Sequence, residues 1–449
     1  MAKDDRIRGN AFTRGAKIAS LPASYAARTT FGWGKRVAGA PAQSVLSDVQ
    51  RRTAEQLFAV LGGLKGGAMK FGQSLSVFEA ALPEEFAGPY REALTKLQDA
   101  APPMSPATVT RVMTDEFGSN WPAQFPDFTM SPAASASIGQ VHRSGWIDPD
   151  TGQRHEVAVK LQYPGADKAL LSDLKQIARI ARLIGVVAPG LDMGAMVTEL
   201  RARVVEELDY RLEALTQNLF AKAFADDQRV VIPRAYVHTQ RALVTQWLES
   251  DRSMADVIKT GSQEERNRLG VAMVRFMFDG PARAGLLHAD PHPGNFRILA
   301  DGRLGVVDFG AVARLPDGLP PAVGPLLKAA TLGDYATVIA GLRTEGFIRP
   351  DIDVDEAAMQ SYLEPLVEPL MTENFTFSRD WLRAQGQRLA SRAPDGFGAA
   401  SKLTIPPSYL MIHRVWMGGV GVLCQLNATA PFRSIVGDAL PGFAEDPQE

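Results

Sequence analysis

One stretch, LLHADPHPGNFRILADGRLGVVDFG at residues 286–310, constrains the fold of this chain most strongly. It consists of an apolar run, a loop rich in His, Asp and Asn, a hairpin turn, and a second apolar run that ends in Asp-Phe-Gly. Asp290, Asn295 and Asp308 supply two carboxylates and an amide oxygen. Oxygen atoms of this kind bind Mg²⁺ beside phosphates, and a carboxylate can orient or deprotonate an acceptor. The stretch therefore predicts a chain that holds a nucleotide.

The spacing of these residues is that of a phosphoryl-transfer enzyme of the protein-kinase type. Asn295 follows Asp290 by five residues, and Asp308 follows Asn295 by thirteen, in an intact D-F-G. A single H-x-D or D-F-G usually means only that an acid caps a turn. The two motifs in this order, on either side of a hairpin, favour the catalytic interpretation.

A second stretch, upstream, has the order of a kinase amino-terminal lobe. The small-residue loop Ala134, Ser135, Ala136 and Ser137 is followed by a strand, a turn at residues 148–152, and the V-A-V-K strand that ends in Lys160. A strand ending in Lys is common, so the tetrapeptide alone would be weak. Behind this loop, an ammonium at Lys160 is predicted to bridge the α- and β-phosphates, provided that a carboxylate holds it in position.

That carboxylate is expected on the acidic helix predicted over residues 193–224. Glu207 is the first candidate and Glu199 the second, and spacing alone does not decide between them. The apolar face predicted for this helix comprises Val197, Leu200, Val204, Leu208, Leu212 and Leu215.

The remaining pattern predicts a short strand at 230–233, a strand at 242–248 and then a largely helical chain. The second strand ends where a kinase hinge lies, so the backbone around Gln246 and Leu248 is expected to contact adenine. Helices are predicted over residues 263–284, 322–330, 335–346, 355–371, 379–390 and 409–426.

Composition excludes several classes of function. The net charge of −2, without a basic block, argues against nucleic-acid binding, and the single cysteine, Cys424, excludes an intramolecular disulfide or a Cys-based zinc site. The N-terminus lacks an apolar secretory core, and the apolar segment 409–426 is interrupted by His413 and Arg414. We therefore expect no signal peptide and no transmembrane span. A cytoplasmic protein is expected, with peripheral membrane contact left open.

Taken together, five stretches in one order resemble the UbiB/ADCK family of atypical protein-kinase-like proteins, from about residue 45 to about 426. The family's K-x-G-Q motif is similar to residues 70–73, and its alanine-rich loop is similar to residues 134–142. Its V-A-x-K strand is similar to residues 157–160 and its E-x-D element to residues 207–209. Its H-x-D-x-x-x-x-N and D-F-G motifs are similar to segments within 288–310.

The resemblance implies an α+β fold of bilobal protein-kinase type, with an N-terminal helical extension and a largely helical carboxy-terminal lobe. It implies ATP or ADP and Mg²⁺ as cofactors, with Asn295 and Asp308 on the metal and Asp290 as the orienting acid or base. Lys70 and Gln73 are expected to gate the acceptor side. Activity as an ATPase or phosphotransferase in isoprenoid-quinone metabolism is the implied function, with a membrane surface, lipid or quinone-pathway proteins as partners.

Three departures from ordinary kinases favour altered phosphate binding and poor protein phosphorylation. Ala and Ser replace the glycines of the phosphate loop, His292 stands where kinases have Lys, and no A-P-E segment follows the D-F-G. Two alternatives stay open: a nucleotide-binding switch or scaffold without turnover, and a small-molecule phosphotransferase. The latter explains neither Lys70 nor the alanine loop.

The predicted domain organisation has four parts. Residues 1–45 form a weakly structured arm, 46–125 the helical extension with the K-x-G-Q motif, 126–250 the amino-terminal lobe with inserted helices, and 251–449 the helical lobe with the catalytic loop. The phosphate acceptor and the oligomeric state do not follow from the sequence.

Overall fold

The computed structural model describes residues 103–136, 138–168, 208–391 and 403–444 of the 449-residue chain. These residues belong to two compact units. The described part of the first unit comprises residues 103–168, 208–214 and 235–247, without residue 137; that of the second comprises 215–234, 248–391 and 403–444. Residues 215–234, which fall within the predicted amino-terminal lobe, are thus grouped with the second unit.

The first unit is built on a five-stranded antiparallel sheet with strand order β1-β2-β3-β6-β5. Its strands are β1 (Ala134–Ala136), β2 (Gly139–Ile147), β3 (Arg154–Gln162), β5 (Ala235–His238) and β6 (Ala242–Gln246). One face of β3 is apolar and buried, because Val157, Val159 and Leu161 alternate with more exposed residues. This alternation places Lys160 on the opposite face from the core.

Helix α1 (Pro106–Phe117) covers the buried face of this sheet, and the short helix α2 (Trp121–Gln124) follows it. The Ser105 side chain accepts a hydrogen bond from the Thr108 backbone N–H, and Pro106 occupies the first turn, which together start α1. Val109 and Met113 of α1 share one core with Val157 and Val159.

Helix α3 (Tyr210–Ala223) is the described part of the acidic helix predicted over residues 193–224. The prediction of an unbroken helix is wrong at residues 208–209, which lie outside the helix. Asp209 accepts a hydrogen bond from the backbone N–H of Arg211 and thereby starts α3. The buried face of α3 includes Tyr210, Ala214 and Phe220, whereas the predicted apolar residues Leu212 and Leu215 are 41% and 52% exposed.

The second unit contains a four-stranded sheet of order β4-β10-β9-β7 and two separate strand pairs, β8 with β11 and β12 with β13. The strands are β4 (Val230–Val231), β7 (Arg252–Ser253), β8 (Leu286–His288), β9 (Phe296–Ile298), β10 (Leu304–Val306), β11 (Val312–Arg314), β12 (Phe375–Thr376) and β13 (Thr429–Ala430). Strands β9 and β10 form the predicted hairpin. Strands β8 and β11 pair with each other on either side of residues 289–311, which contain Asp290, Asn295 and Asp308.

Helices make up most of the second unit. They are α4 (Met254–Thr260), α5 (Gln263–Ala284), α6 (Val323–Thr331), α7 (Tyr335–Thr344), α8 (Glu356–Val367), α9 (Arg379–Ser391), α10 (Pro407–Leu426) and α11 (Phe432–Ala439). Helix α5 has the bounds that its periodicity predicted: Ser262 caps its first turn, and Gly285 ends it in the left-handed conformation, with φ 64°. Its buried face, including Leu269, Met273 and Phe276, lies in the main core of this unit.

Mixed helices and mainly antiparallel sheets confirm the predicted α+β fold class. No helix among the described residues combines the length and apolar character that crossing a bilayer requires. The predicted K-x-G-Q extension lies outside the described residues, so the four-part domain organisation stays a prediction.

Candidate active site

Lys160 lies near the end of β3, between Val141 of β2 and Leu243 of β6 in the ladder register. Two neighbouring strands therefore fix its backbone. Its ammonium is 2.8 Å from Oε1 and 3.0 Å from Oε2 of Glu213, on the first turn of α3. The Lys160 and Glu213 side chains are 12% and 4% exposed. The Lys160 ammonium also lies 5.0 Å from the centroid of the Tyr210 ring, which adds a cation–π contact.

Glu213 is a carboxylate partner of Lys160 that the sequence argument did not name as a candidate. The sequence argument favoured Glu207 and then Glu199, both of which lie outside the described residues. Glu213 was not a candidate, because the helix face was assigned from its leucines. The signal that identifies it is its place between Tyr210 and Ala214, both of which are buried. A carboxylate on the buried face of a helix needs a cationic or hydrogen-bonding partner.

The alanine-rich loop forms the edge of the same sheet. Ala134, Ser135 and Ala136 form β1 and pair with Val141, Gln140 and Gly139 of β2. Ser137 lies outside the described residues. Gly139 allows the start of β2 to lie close to β3, because a Cβ at that position would lie 2.0 Å from the Leu161 carbonyl oxygen. The loop thus lies beside β2, and β2 separates it from β3, the strand that carries Lys160.

The predicted hinge begins where β6 ends. Gln246 is the last residue of β6, pairs with Val157 and has an exposed side chain. The Trp247 backbone N–H donates to the Glu156 carbonyl oxygen at 2.9 Å. Leu248 packs against β10, where a Cβ built on Gly305 would lie 2.8 Å from its Cδ1 atom. Adenine contact by this backbone stays a prediction.

The catalytic loop in the second unit starts from a buried histidine. His288, at the end of β8, is 1% exposed, and its Nε2 donates to the Asp308 carbonyl oxygen at 2.7 Å. The next residue, Ala289, donates its N–H to the Ala311 carbonyl oxygen at 2.9 Å. Two hydrogen bonds thus connect the residues that precede Asp290 to the D-F-G segment. His288 has a structural role here, because it connects the loop to the D-F-G segment.

Asn295 connects directly to Asp290. Its Nδ2 donates to both the carbonyl oxygen and the Oδ2 atom of Asp290, each at 3.1 Å. The turn Pro293–Asn295 between them is capped by His292, whose Nδ1 accepts from the Gly294 N–H at 3.1 Å. Because the amide nitrogen of Asn295 is used in this way, its Oδ1 atom is the one that can coordinate a cation.

His292 is held neutral by its surroundings. Burial lowers the pKa of His292, and the negative charges of Asp290 and Asp308 oppose this shift only in part. The residue therefore does not replace the positive charge of the kinase lysine. Its ring nitrogen instead shapes the turn that presents Asn295.

Asp308 and Phe309 are fixed by different means. The Asp308 Oδ1 atom accepts a hydrogen bond from the Gly310 N–H at 2.9 Å. The Phe309 ring is 1% exposed and lies 5.2 Å from the ring of Phe220 and 5.4 Å from that of His288. The Phe309 carbonyl oxygen accepts from the Thr216 hydroxyl at 3.3 Å. We call Phe309, Phe220, Phe276 and His288 the Phe309 cluster.

These residues offer Mg²⁺ the oxygen ligands that it prefers, a carboxylate from Asp308 and the amide oxygen of Asn295. Within the described part of the chain, no group of three or more His, Cys, Asp or Glu side chains could hold a metal ion. Mg²⁺ bound by one or two protein ligands takes the remainder from phosphates and water. The donor set therefore fits a metal that arrives with a nucleotide.

The five-stranded sheet with its Lys–Glu pair and the Asp–Asn loop with its D-F-G define a protein-kinase-like protein. Residues 96–341, more than half of the chain, match the ABC1 atypical kinase-like domain. The chain belongs to this family, which confirms the resemblance drawn from the motifs. Lys70, Gln73, Ser137, Glu199 and Glu207 lie outside the described residues, so their roles stay predictions.

Curated relatives include mitochondrial atypical kinases. The chain is 30% identical over 277 residues to "Atypical kinase COQ8, mitochondrial" of Saccharomyces cerevisiae, covering 60% of this chain and 53% of that protein. It is 27% identical over 415 residues to "Atypical kinase coq-8, mitochondrial" of Caenorhabditis elegans, covering 90% of this chain and 52% of that protein. The chain thus spans about half the length of these relatives.

A solved structure from Mycobacterium tuberculosis is also similar. It is described as the complex structure of Rv3197–erythromycin, is 40% identical, and has a TM-score of 0.69. The likeness covers 90% of this chain and all of that one.

Proposed function

We propose that this chain is an atypical kinase-like ATPase or phosphotransferase that uses Mg-ATP and supports isoprenoid-quinone metabolism. The observation that carries the proposal is that both halves of the phosphate-handling machinery are intact. Lys160 is paired with a buried carboxylate, and Asp290, Asn295 and Asp308 are fixed by hydrogen bonds in the second unit. A chain that had lost turnover would be expected to lack one of these groups.

The residues have separate roles in this proposal. Lys160, oriented by Glu213, holds the α- and β-phosphates. Because the pair is shielded from water, the attraction between the Lys160 ammonium and the phosphates is stronger than it would be at the surface. Asp308 and the amide oxygen of Asn295 would hold Mg²⁺, which would supply positive charge beside the phosphates when bound. Asp290 orients the attacking oxygen and accepts its proton.

The acceptor is water or a small molecule in this proposal, and a peptide is disfavoured. No A-P-E segment follows Gly310, and Ala134, Ser135 and Ala136 form a paired strand where ordinary kinases have a glycine loop. The names of the yeast and worm relatives support the assignment to atypical kinases. The quinone pathway, a lipid partner and peripheral membrane attachment are proposed on the family resemblance.

A second candidate function is a nucleotide-dependent switch or binding module without turnover. The observation that favours it is the erythromycin complex of the similar M. tuberculosis chain, which is bound to a bulky organic molecule. A binding module of this kind would take up such a molecule in a nucleotide-dependent manner without consuming ATP.

ATP hydrolysis by the purified chain with Mg²⁺, measured with and without anionic liposomes, tests the proposal. We expect hydrolysis that is lost in Asp308→Asn and retained in Asp301→Asn. Asp301 is a suitable control because it lies in the hairpin turn and pairs with Arg303 on the surface. Mg²⁺-dependent nucleotide binding in the absence of any Asp308-dependent hydrolysis would favour the switch. If the chain binds no nucleotide at all, both candidate functions are overturned.

A further inference from the structure

The second unit contains an apolar cavity that the proposed chemistry does not use. It encloses about 820 Å³ of empty space, part of which opens to solvent. Helices α5, α8, α10 and α11 contribute its walls. Among the described residues that line it, none carries an ionisable side chain.

The shape of the cavity depends on residues that keep the helices apart. Phe278 of α5 and Trp416 of α10 meet edge to face, with ring centroids 5.2 Å apart. Pro365 interrupts the hydrogen bonding of α8 within the wall. Gly419 adds no side chain, and a Cβ there would lie 2.8 Å from the Met277 Cε atom. Rigid rings and a proline preserve the space, while Met277 can adapt to an occupant.

An apolar space of this kind is poorly suited to water. A water molecule needs two to four polar partners, which this lining does not offer, and dry apolar cavities bind hydrocarbon ligands. The lining atoms that face the empty space also lack dispersion contacts until a ligand occupies the cavity. A charged ligand would lose its hydration without a counter-charge. The lining therefore selects an uncharged hydrocarbon.

The cavity also shares a wall with the catalytic loop. Leu287, which lines it, directly precedes His288 on β8. Leu287 and Val415 of α10 belong to one apolar cluster with Ala289 and Ala311. Ala289 immediately precedes Asp290, and Ala311 immediately follows the D-F-G. An occupant of the cavity would thus contact the layer of side chains that supports both catalytic segments.

We propose that this cavity is a binding site for the hydrocarbon chain of an uncharged lipid. The ligand would lie among α5, α8, α10 and α11, with the polar end of the lipid at the solvent opening. The site is separate from the residues assigned to the nucleotide, so its existence does not depend on ATP turnover.

Photolabelling of the full chain with a diazirine derivative of dodecanol, in competition with unlabelled dodecanol, tests the site. We expect the label in peptides from α8 or α10, displaced by dodecanol. Leu366→Trp and Ile412→Trp place an indole in the cavity from different walls. Each is expected to lower the labelling about tenfold, equivalent to ~1.4 kcal/mol of binding free energy.

Leu332→Trp is the matched control, because Leu332 is 71% exposed and does not line the cavity. Its labelling should equal that of the wild type. The proposal would be overturned if the label were found mainly outside the peptides that line the cavity. It would also be overturned if Leu366→Trp and Ile412→Trp were labelled as strongly as the wild type. Thermal melting monitored by circular dichroism shows whether Leu366→Trp or Ile412→Trp fails to fold. If one of them does, the labelling of the other variant tests the proposal. Because labelling needs no nucleotide, its result is independent of the proposed ATPase activity.

Discussion

The ammonium of Lys160 lies 2.8 and 3.0 Å from the two carboxylate oxygens of Glu213, and both side chains are almost fully shielded from water. The pair joins β3 to the first turn of α3. Because charges in such surroundings are costly to desolvate, a buried pair of this kind becomes strongly destabilising when one partner is removed. The pair therefore contributes to folding as well as to the proposed contact with phosphate.

Glu213→Ala is expected to lower the free energy of unfolding by ~3 kcal/mol, because it leaves the buried Lys160 ammonium without this carboxylate. It should also weaken ATP binding. Urea unfolding and equilibrium nucleotide binding measure the two effects. Glu156→Ala on β3 is the control: its ion pairs with Arg143 and Arg154 are exposed and are expected to contribute less than ~1 kcal/mol. Equal destabilisation by the two variants would contradict the role given to Glu213.

Gly418→Val is expected to displace the catalytic loop. A Cβ at Gly418 of α10 would lie 2.9 Å from the Cγ atom of Pro291, which stands between Asp290 and His292. A shift of about 1 Å in a catalytic group can lower turnover about a hundredfold. ATP hydrolysis should therefore fall by one to two orders of magnitude.

Gly437→Val is the matched control for this prediction. Gly437 also lies in a helix, but among the described residues a Cβ there would meet only Phe443, at an ordinary 3.7 Å. Both variants replace a helical glycine by the same β-branched residue, so they carry the same change in helix propensity. Similar hydrolysis by the two variants would show that the contact with Pro291 does not constrain the loop.

Asp227 should make the stability of the second unit sensitive to acid. Its side chain is 4% exposed and contacts Arg229 at 2.9 Å and Arg283 at 2.6 Å. Burial alone raises the pKa of Asp227, but hydrogen bonds from Arg229 and Arg283 outweigh it and hold the pKa well below its ordinary value. The unfolded chain therefore binds the proton more readily than the folded chain does.

The stabilisation from Asp227 is consequently present above the ordinary aspartate pKa of about 3.9, and it is lost as the pH falls below that value. Asp227→Asn should lower the free energy of unfolding by ~3 kcal/mol at neutral pH. The difference between wild type and variant should narrow as urea titrations are moved below about pH 4. Asp351→Asn, in an exposed pair with Arg349, should show no comparable difference at any pH. A difference for Asp227→Asn that does not change with pH would contradict this assignment.

Cys424 should react only when the protein opens. It is the single cysteine of the chain and is 1% exposed. Burial raises the pKa of its thiol to about 12, so little thiolate exists at pH 8. We expect iodoacetamide to leave native protein unmodified and to label it in urea. Leu332→Cys on a Cys424→Ser background, where the thiol is exposed, should react promptly in native protein. Prompt labelling of native wild type would refute the burial of Cys424.

Much of the fold follows from local sequence signals. Ser262 caps the start of α5 and Gly285 ends it, and both residue types are recognisable in the sequence. The turn at Gly302 and Arg303 likewise separates β9 from β10. The candidate catalytic residues Asp290, Asn295 and Asp308 were named for a similar reason. They lie within one short stretch, so their spacing in the sequence is enough to predict that they belong to one site.

The partner of Lys160 could not be found in this way. Fifty-three residues separate Lys160 from Glu213, so only the packing of α3 against the sheet determines which acid meets the lysine. The leucines of α3 gave a misleading signal. Leu212, Leu215 and Leu219 are exposed, whereas Tyr210, Ala214 and Phe220 face the interior. Periodicity identifies that a helix is amphipathic, but it does not identify the face when both sides carry apolar residues.

The packing of Phe309 has a consequence for inhibitor discovery. A compound that occupies the place of the Phe309 ring must first expose a buried phenyl group, at a cost of ~2 kcal/mol. It must also disturb the Thr216 hydroxyl and the His288 imidazole, which hold the backbone on either side of that ring. A screen against this protein should therefore favour compounds that leave the D-F-G segment in place. Selective compounds should obtain their selectivity from the alanine-rich edge strand, where the chain departs most from ordinary kinases.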